Sequence, residues 1–219
     1  MKPLLLFSVV VCFCISCTRM LLNVYGVKWP PRLLTRQEIS SRSSQLNIHG
    51  DQSFILDEKY FYALEKRDTL KPMFEKKCSP MISKYLQPLQ ALYFDEEGKL
   101  VSFHNNCYAG GFPLLRWNKD GQFDKFIPAT RTPITDTVLN LGLLLHYLEP
   151  ISQTVSSEKT KWTIVIFWCD FMMKQSKELI KIARKNLLLD NSHSVRILFV
   201  NTDNCFAEEK YSSQINKTN

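Results

Sequence analysis

Between Lys161 and Asn204 the apolar positions change their spacing twice. Thr163-Ile164-Val165-Ile166-Phe167-Trp168 is a continuous run of β-branched and aromatic residues, too short for a helix of ordinary length, and it predicts a buried strand. From 172 to 188 the period becomes helical. Met172, Met173, Ser176, Leu179, Ile180, Ala183, Leu187 and Leu188 share one face, with Lys174, Lys177, Lys181, Arg184 and Lys185 opposite. Asn191-Ser192-His193-Ser194 interrupts this pattern, and Val195-Arg196-Ile197-Leu198-Phe199-Val200 predicts a second strand, apolar enough to be buried on both faces. Strand, helix and strand with short links predict a right-handed βαβ unit with parallel strands, so the fold class is α/β.

Upstream the pattern is more broken. Tyr60, Phe61 and Leu64 recur at helical intervals within Phe54–Arg67, with Asp57 as a cap, and Ser79-Pro80 is a helix start for Ile82, Tyr85 and Leu86, closed off by Pro88. Two hairpins follow: Leu89–Phe94 with Lys99–His104 around Asp95-Glu96-Glu97-Gly98, and Leu114–Asn118 with Gln122–Phe126 around Lys119-Asp120-Gly121. The loop between them, Asn105 to Pro113, carries paired glycines, amides and Tyr108; it reads either as a turn joining the hairpins or as the lining of a small pocket. Thr135 or Asp136 caps a leucine-rich helix through Val138, Leu141, Leu144 and Leu148 that stops at Pro150, with His146 a packed or surface imidazole. A last short helix is predicted from about Phe206 to Asn216.

The chain of 219 residues is 45% apolar and 12% aromatic, enough for one domain-sized core, assigned to 53–219, plus a leader. Its net charge of +7 is spread out. Lys66-Arg67 and Lys76-Lys77 are isolated pairs, and nowhere do basic residues interleave with aromatics, which argues against nucleic acid and for a solvated surface compatible with an anionic membrane. Residues 1–16 read as a signal peptide: Lys2 at the charged end, an apolar stretch from Leu4 to Phe13 too short to span a bilayer, and the small residue Ser16. Residues 17–52 read as a tether, stiffened by Pro30-Pro31 and polar through Ser40-Ser41-Arg42-Ser43-Ser44, with only Met20–Tyr25 expected to pack.

Two resemblances rest on these residues. Cys14-Ile15-Ser16-Cys17 resembles the lipobox of bacterial lipoproteins, with Cys14 where the family usually has leucine. It implies diacylation of Cys17, a membrane lipid anchor and, with Thr18 following, an outer-membrane address in the cell envelope. Ile164-Val165-Ile166-Phe167-Trp168, the lysine-bearing helix after it and Phe199-Val200-Asn201-Thr202-Asp203 resemble the heart of the thioredoxin-like fold of bacterial envelope proteins. That resemblance implies thiol-disulfide exchange by a Cys-x-x-Cys motif at the strand–helix junction. Here the place is filled by Met172-Met173-Lys174-Gln175, and no proline follows Pro150 to supply the family's cis-proline. The family's sheet also continues with two antiparallel strands and a helix that this chain lacks after 204; either the N-terminal hairpins complete the sheet or the C-terminal part of the fold is shortened.

Exchange needs a thiolate to attack and a second thiol to resolve, and methionine cannot ionise. Cys169 is the nearest thiol, read either as a buried small hydrophobe or as a candidate reactive thiol, alone or paired at a distance with Cys205. Setting aside the leader and Cys17 leaves Cys78, Cys107, Cys169 and Cys205, with no Cys-x-x-Cys and no second ligand pair beside His104 and Cys107, so neither a metal nor another cofactor is expected. A disulfide among the four is left open. No phosphate-binding loop, nucleophile elbow or carboxylate pair appears. The expectation is a membrane-anchored, non-catalytic binding or structural module, with an envelope protein as partner; the alternative is a redox protein using Cys169.

Overall fold

The computed structural model describes residues 22–49, 52–67, 80–135, 139–151, 160–191 and 194–208. Six strands, β1 (Ser53–Leu56), β2 (Gln90–Phe94), β3 (Leu100–Asn105), β4 (Leu148–Pro150), β5 (Trp162–Trp168) and β6 (Val195–Asn201), form one mixed sheet in the order β3-β2-β5-β6-β1-β4. The helices are α1 (Arg36–Gln45), α2 (Lys59–Arg67), α3 (Pro80–Ser83), α4 (Asn106–Ala109), α5 (Leu141–His146) and α6 (Met173–Leu187). The protein is thus α/β.

The β5–α6–β6 unit is its centre. β5 and β6 pair in parallel from Trp162 opposite Val195 to Trp168 opposite Asn201. β1 adds in parallel to β6, and β4 runs antiparallel to β1 at the edge. The other side of β5 is taken by the first hairpin: β2 lies antiparallel to it, Gln90 opposite Phe167 and Phe94 opposite Thr163, and β3 pairs outside β2. Gly98, at a φ of 77°, closes that hairpin, and the amides of Gly98 and Lys99 donate to the carbonyl and carboxylate of Asp95. The hairpin of β2 and β3 therefore forms one side of the sheet.

Because side chains alternate along a strand, β5 feeds two cores. Ile164, Ile166 and Trp168 pack with Leu179, Ile180 and Ala183 of α6 and Ile39 of α1; Val165 and Phe167 pack on the opposite face with Tyr60 and Leu64 of α2 and Leu144 of α5. Each fully buried leucine or isoleucine contributes about 1.5–3 kcal/mol.

Several expectations change. The polar stretch that predicts a tether contains α1, whose Thr35 hydroxyl accepts from the Glu38 amide while the Glu38 carboxylate accepts from the Thr35 amide. Val27, Leu34, Ile39, Leu46 and Ile48 from this stretch are buried in the core beside α6. The second hairpin does not form. Residues 114–126 are turns around a short 3-10 segment, Gln122–Asp124, because the Asn118 side chain accepts from the Phe123 amide and donates to Asp124, replacing a strand ladder with local bonds. Phe54–Arg67 divides into β1 and α2, with Asp57 accepting from the Lys59 amide between them. Among the described residues the leucine-rich helix is α5, capped by Asn140 through the Leu143 amide at 2.8 Å, and Leu148–Pro150 becomes β4; Asp136 and Val138 of the expected helix fall outside the described residues. Leu188 lies past the end of α6 and is 83% exposed. Residues 203–208 are helical, and the remainder of the expected last helix falls outside the described residues.

Candidate functional site

β1, β5 and β6 are mutually parallel, and β3, antiparallel to β2 as β5 is, shares their direction. Their C-terminal ends therefore meet at one edge of the sheet, where ligand crevices of open α/β sheets form. Two turns define the site: Cys169 to Met172 after β5, and Thr202-Asp203 after β6.

Asp203 joins them. Its carboxylate accepts hydrogen bonds from the amides of Asp170 at 2.7 Å and Phe171 at 3.2 Å and from Asn201 Nδ2 at 2.6 Å. The Thr202 amide donates to the Trp168 carbonyl and its hydroxyl to the Pro88 carbonyl, tying the β6 turn to the chain entering β2. Burial pushes the Asp203 carboxyl up to about 6, the Asp170 amide, Asn201 and the Phe171 amide pulling the other way. With three donors already on the carboxylate, Asp203 acts as a latch between turns rather than as an open acid or base.

The Asp170 carboxylate is paired with two cations. Its Oδ2 lies 3.2 Å from Lys28 Nζ, and its Oδ1 lies 3.2 Å from Arg42 Nε, an ion contact without hydrogen-bond geometry. The Asp170 side chain is nearly buried, and losing either cation would leave its charge under-compensated. The pair of contacts holds residue 28 and α1 against the β5 turn.

Cys169 points into the core beside Trp168 and Leu179 and is 0% exposed. Its backbone is clamped by Ser176, whose Oγ accepts from the Cys169 amide at 3.1 Å and donates to its carbonyl at 2.9 Å. Burial, followed by the Asp203 charge, pushes the thiol well above its ordinary range, outweighing the Met172 and Ser176 contacts that favour the thiolate. The N-terminal turn of α6, where a thiolate would be stabilised, presents Met172 and Met173 instead, and no side chain caps it.

The other candidate residues are scattered. Cys205 is buried in the opposite core with Phe167, donating to the Leu56 carbonyl at 3.2 Å, and burial raises its thiol; the fold does not bring it together with Cys169. Cys107 is exposed on α4, donates to Gln87 Oε1 at 3.0 Å and is raised by partial burial. Cys107, Cys169 and Cys205 are all free, while Cys17 and Cys78 fall outside the described residues. His104 is buried 3.2 Å from the Ser102 hydroxyl, with its ring centroid 4.4 Å from that of Phe123. Burial and then Arg131 lower it to about 4, so it is a neutral imidazole. His146 is exposed. Among the described residues no cluster of His, Cys, Asp and Glu could hold a metal, and no helix is long and apolar enough to cross a membrane.

The loop after β3 is a single turn of helix, α4, with Asn105 accepting from the Tyr108 amide, followed by Gly110 and Gly111 at φ of 68° and 73°. A Cβ on Gly111 would sit 2.8 Å from the Leu114 carbonyl, so the close backbone approach requires glycine there. Asp170, Asp203, Asn201, Lys28 and Arg42 did not stand out by local spacing. For Asp170 and Asp203 the sequence signal is that polar residues directly follow two apolar strands; Lys28 and Arg42 carry no such signal. Set against family models, curated proteins and solved structures, the chain matches none.

Proposed function

We propose that the chain is a thioredoxin-like module anchored by lipid at Cys17 in the cell envelope, at the outer membrane, and that it binds an envelope protein or supports structure without thiol–disulfide exchange. The observation that carries the reading is the turn between β5 and α6, where the one thiol is sealed in the core and two methionines hold the helix entrance. A thiol raised by burial forms little nucleophile near neutral pH. The fold half of the reading draws support from the arrangement around β5. A parallel βαβ unit is flanked by an antiparallel hairpin, which here precedes the unit in the chain instead of following it. The anchor draws support from Cys14-Ile15-Ser16-Cys17 directly after the apolar leader stretch, and each acyl methylene buried in a bilayer adds roughly 0.8 kcal/mol of attachment.

Two assays test this reading. The full chain expressed in a bacterial envelope and grown with labelled palmitate takes up label, and Cys17→Ser does not; label in the variant removes the anchor from the account. In an insulin-reduction assay the chain gives no turnover above the uncatalysed rate. Turnover that disappears in Cys169→Ser establishes the redox alternative in its place.

A further inference from the structure

We infer that the edge of the sheet at the C-terminal ends of β3, β5 and β6 is the face that rests on the lipid bilayer, a reading that builds on the anchor at Cys17 proposed above. Residues 22–35 run as a strap along this edge. Lys174 Nζ donates to the Val24 carbonyl at 3.1 Å, Gln175 Nε2 to the Tyr25 carbonyl at 3.1 Å, and the Lys28 amide to the Phe171 carbonyl at 2.7 Å. Further along, Leu34 and Asn204 exchange two hydrogen bonds. Gln175 Nε2 also donates to the Pro113 carbonyl at 2.8 Å, which brings the loop after α4 alongside the strap.

These two segments concentrate the exposed apolar surface. Of the ten large apolar side chains exposed among the described residues, six belong to the strap, to α4 or to the loop after it: Val24, Trp29, Leu33, Tyr108, Phe112 and Leu114. Trp29 is 53% exposed, Phe112 58% and Leu114 63%. Such clustering exceeds the isolated exposed residues of an ordinary surface. The charge of the edge is positive. Segments 22–35, 105–116, 169–175 and 201–204 carry Lys28, Arg32, Arg116 and Lys174 against Asp170 and Asp203, 4 − 2 = +2, and both carboxylates are already covered. Glu38, at the start of α1, pairs with Arg32 at 2.8 Å.

The occupant follows from where the chain leads. Cys17 lies five residues before Leu22, the first described residue, and five residues reach at most about 18 Å. An acylated Cys17 therefore holds this edge, with the strap at its outer side, next to the headgroups. An exposed indole among aliphatic side chains suits the interfacial layer, and lysine or arginine near an anionic leaflet adds electrostatic attraction.

Trp29 is also the probe. Trp117 and Trp168 are buried, and Trp162 stands at the opposite, N-terminal end of β5. The full chain is purified from membranes and its acyl mass measured. It is then reconstituted into phosphatidylglycerol–phosphatidylethanolamine vesicles with bromine near the headgroup end of the acyl chains. The inference expects loss of tryptophan emission in brominated vesicles, absence of that loss in Trp29→Phe, and a smaller loss in Phe112→Asp and Leu114→Asp, whose side chains already face solvent. An acylated chain whose Trp29 is unquenched by bromine and still open to aqueous iodide overturns it. Shielding from both quenchers overturns it too, because a second copy or another protein then covers the edge. A chain without acyl mass that still shows bromine quenching keeps the face and removes the anchor; one that lacks acyl mass and leaves the vesicles removes both.

Discussion

Acidification sets a defined load on His104. The ring sits on β3 between the Ser102 hydroxyl and Phe123, with Nδ1 lacking any hydrogen-bond partner, and its pKa is lowered to about 4. An unfolded chain takes up the imidazole proton near 6.5, while the native protein declines it until about 4. Between those values the unfolded state binds more protons, so stability contributed by His104 is complete above 6.5 and is lost as the pH falls. The full gap, 6.5 − 4, corresponds to about 3 kcal/mol, and the loss at pH 5 is about 2 kcal/mol. Urea unfolding at pH 7 and pH 5 measures it, in the wild type and in His104→Gln, which stays neutral throughout. Comparing the pH dependence of each protein with itself removes the cost of the substitution. The wild type loses about 2 kcal/mol more than the variant between the two pH values. Equal pH dependence in the two proteins would refute a buried neutral imidazole.

Asp203 works in the opposite sense. Its carboxyl, raised from 3.8 to about 6, makes the native state bind protons more tightly, so its contribution to stability falls as the pH rises through that interval. Asp203→Asn lowers stability at pH 7 by about 1.5–3 kcal/mol through lost charged hydrogen bonds, and in urea titrations its deficit widens from pH 6 towards pH 4; a constant deficit would show that the carboxyl titrates normally. Leu179→Ala, beneath β5, costs about 2–5 kcal/mol by thermal or urea unfolding, whereas Leu188→Ala, beyond the helix end, stays within about 0.5 kcal/mol; equal losses would place Leu188 in the core against the fold described.

The strand–helix–strand centre was legible because its physics is local. A strand buried on both faces must be apolar throughout, and α6 must be apolar on the stripe it lays against that strand. α1 escaped the same logic: Arg36–Gln45 buries only Ile39 and Ser43, so hardly any periodicity marks it. Its capping box, Thr35 with Glu38, was the signal available. The leucine-rich stretch up to Leu148 departs from its helical pattern for a different reason. Asn140 caps α5 by accepting the Leu143 amide, and the Asp57 amide draws the Tyr147 carbonyl towards β1, so Leu148–Pro150 pairs as an edge strand. At the site, the absence of a thiol at Met172 could be read directly. The Asp203 latch could not, since it bridges residues more than thirty positions apart, and neither could the use of Asp170 to pin the segment read as a tether.

If the strand–helix junction offers no usable thiol, Cys169 stays unreactive in the folded protein. Iodoacetamide labelling near neutral pH, read residue by residue by mass, uses exposed Cys107 as the internal reference. Cys107 is expected to label in the native protein, with Cys169 and Cys205 labelled only after denaturation in urea. Labelling of Cys169 in the native state as fast as Cys107 would contradict it.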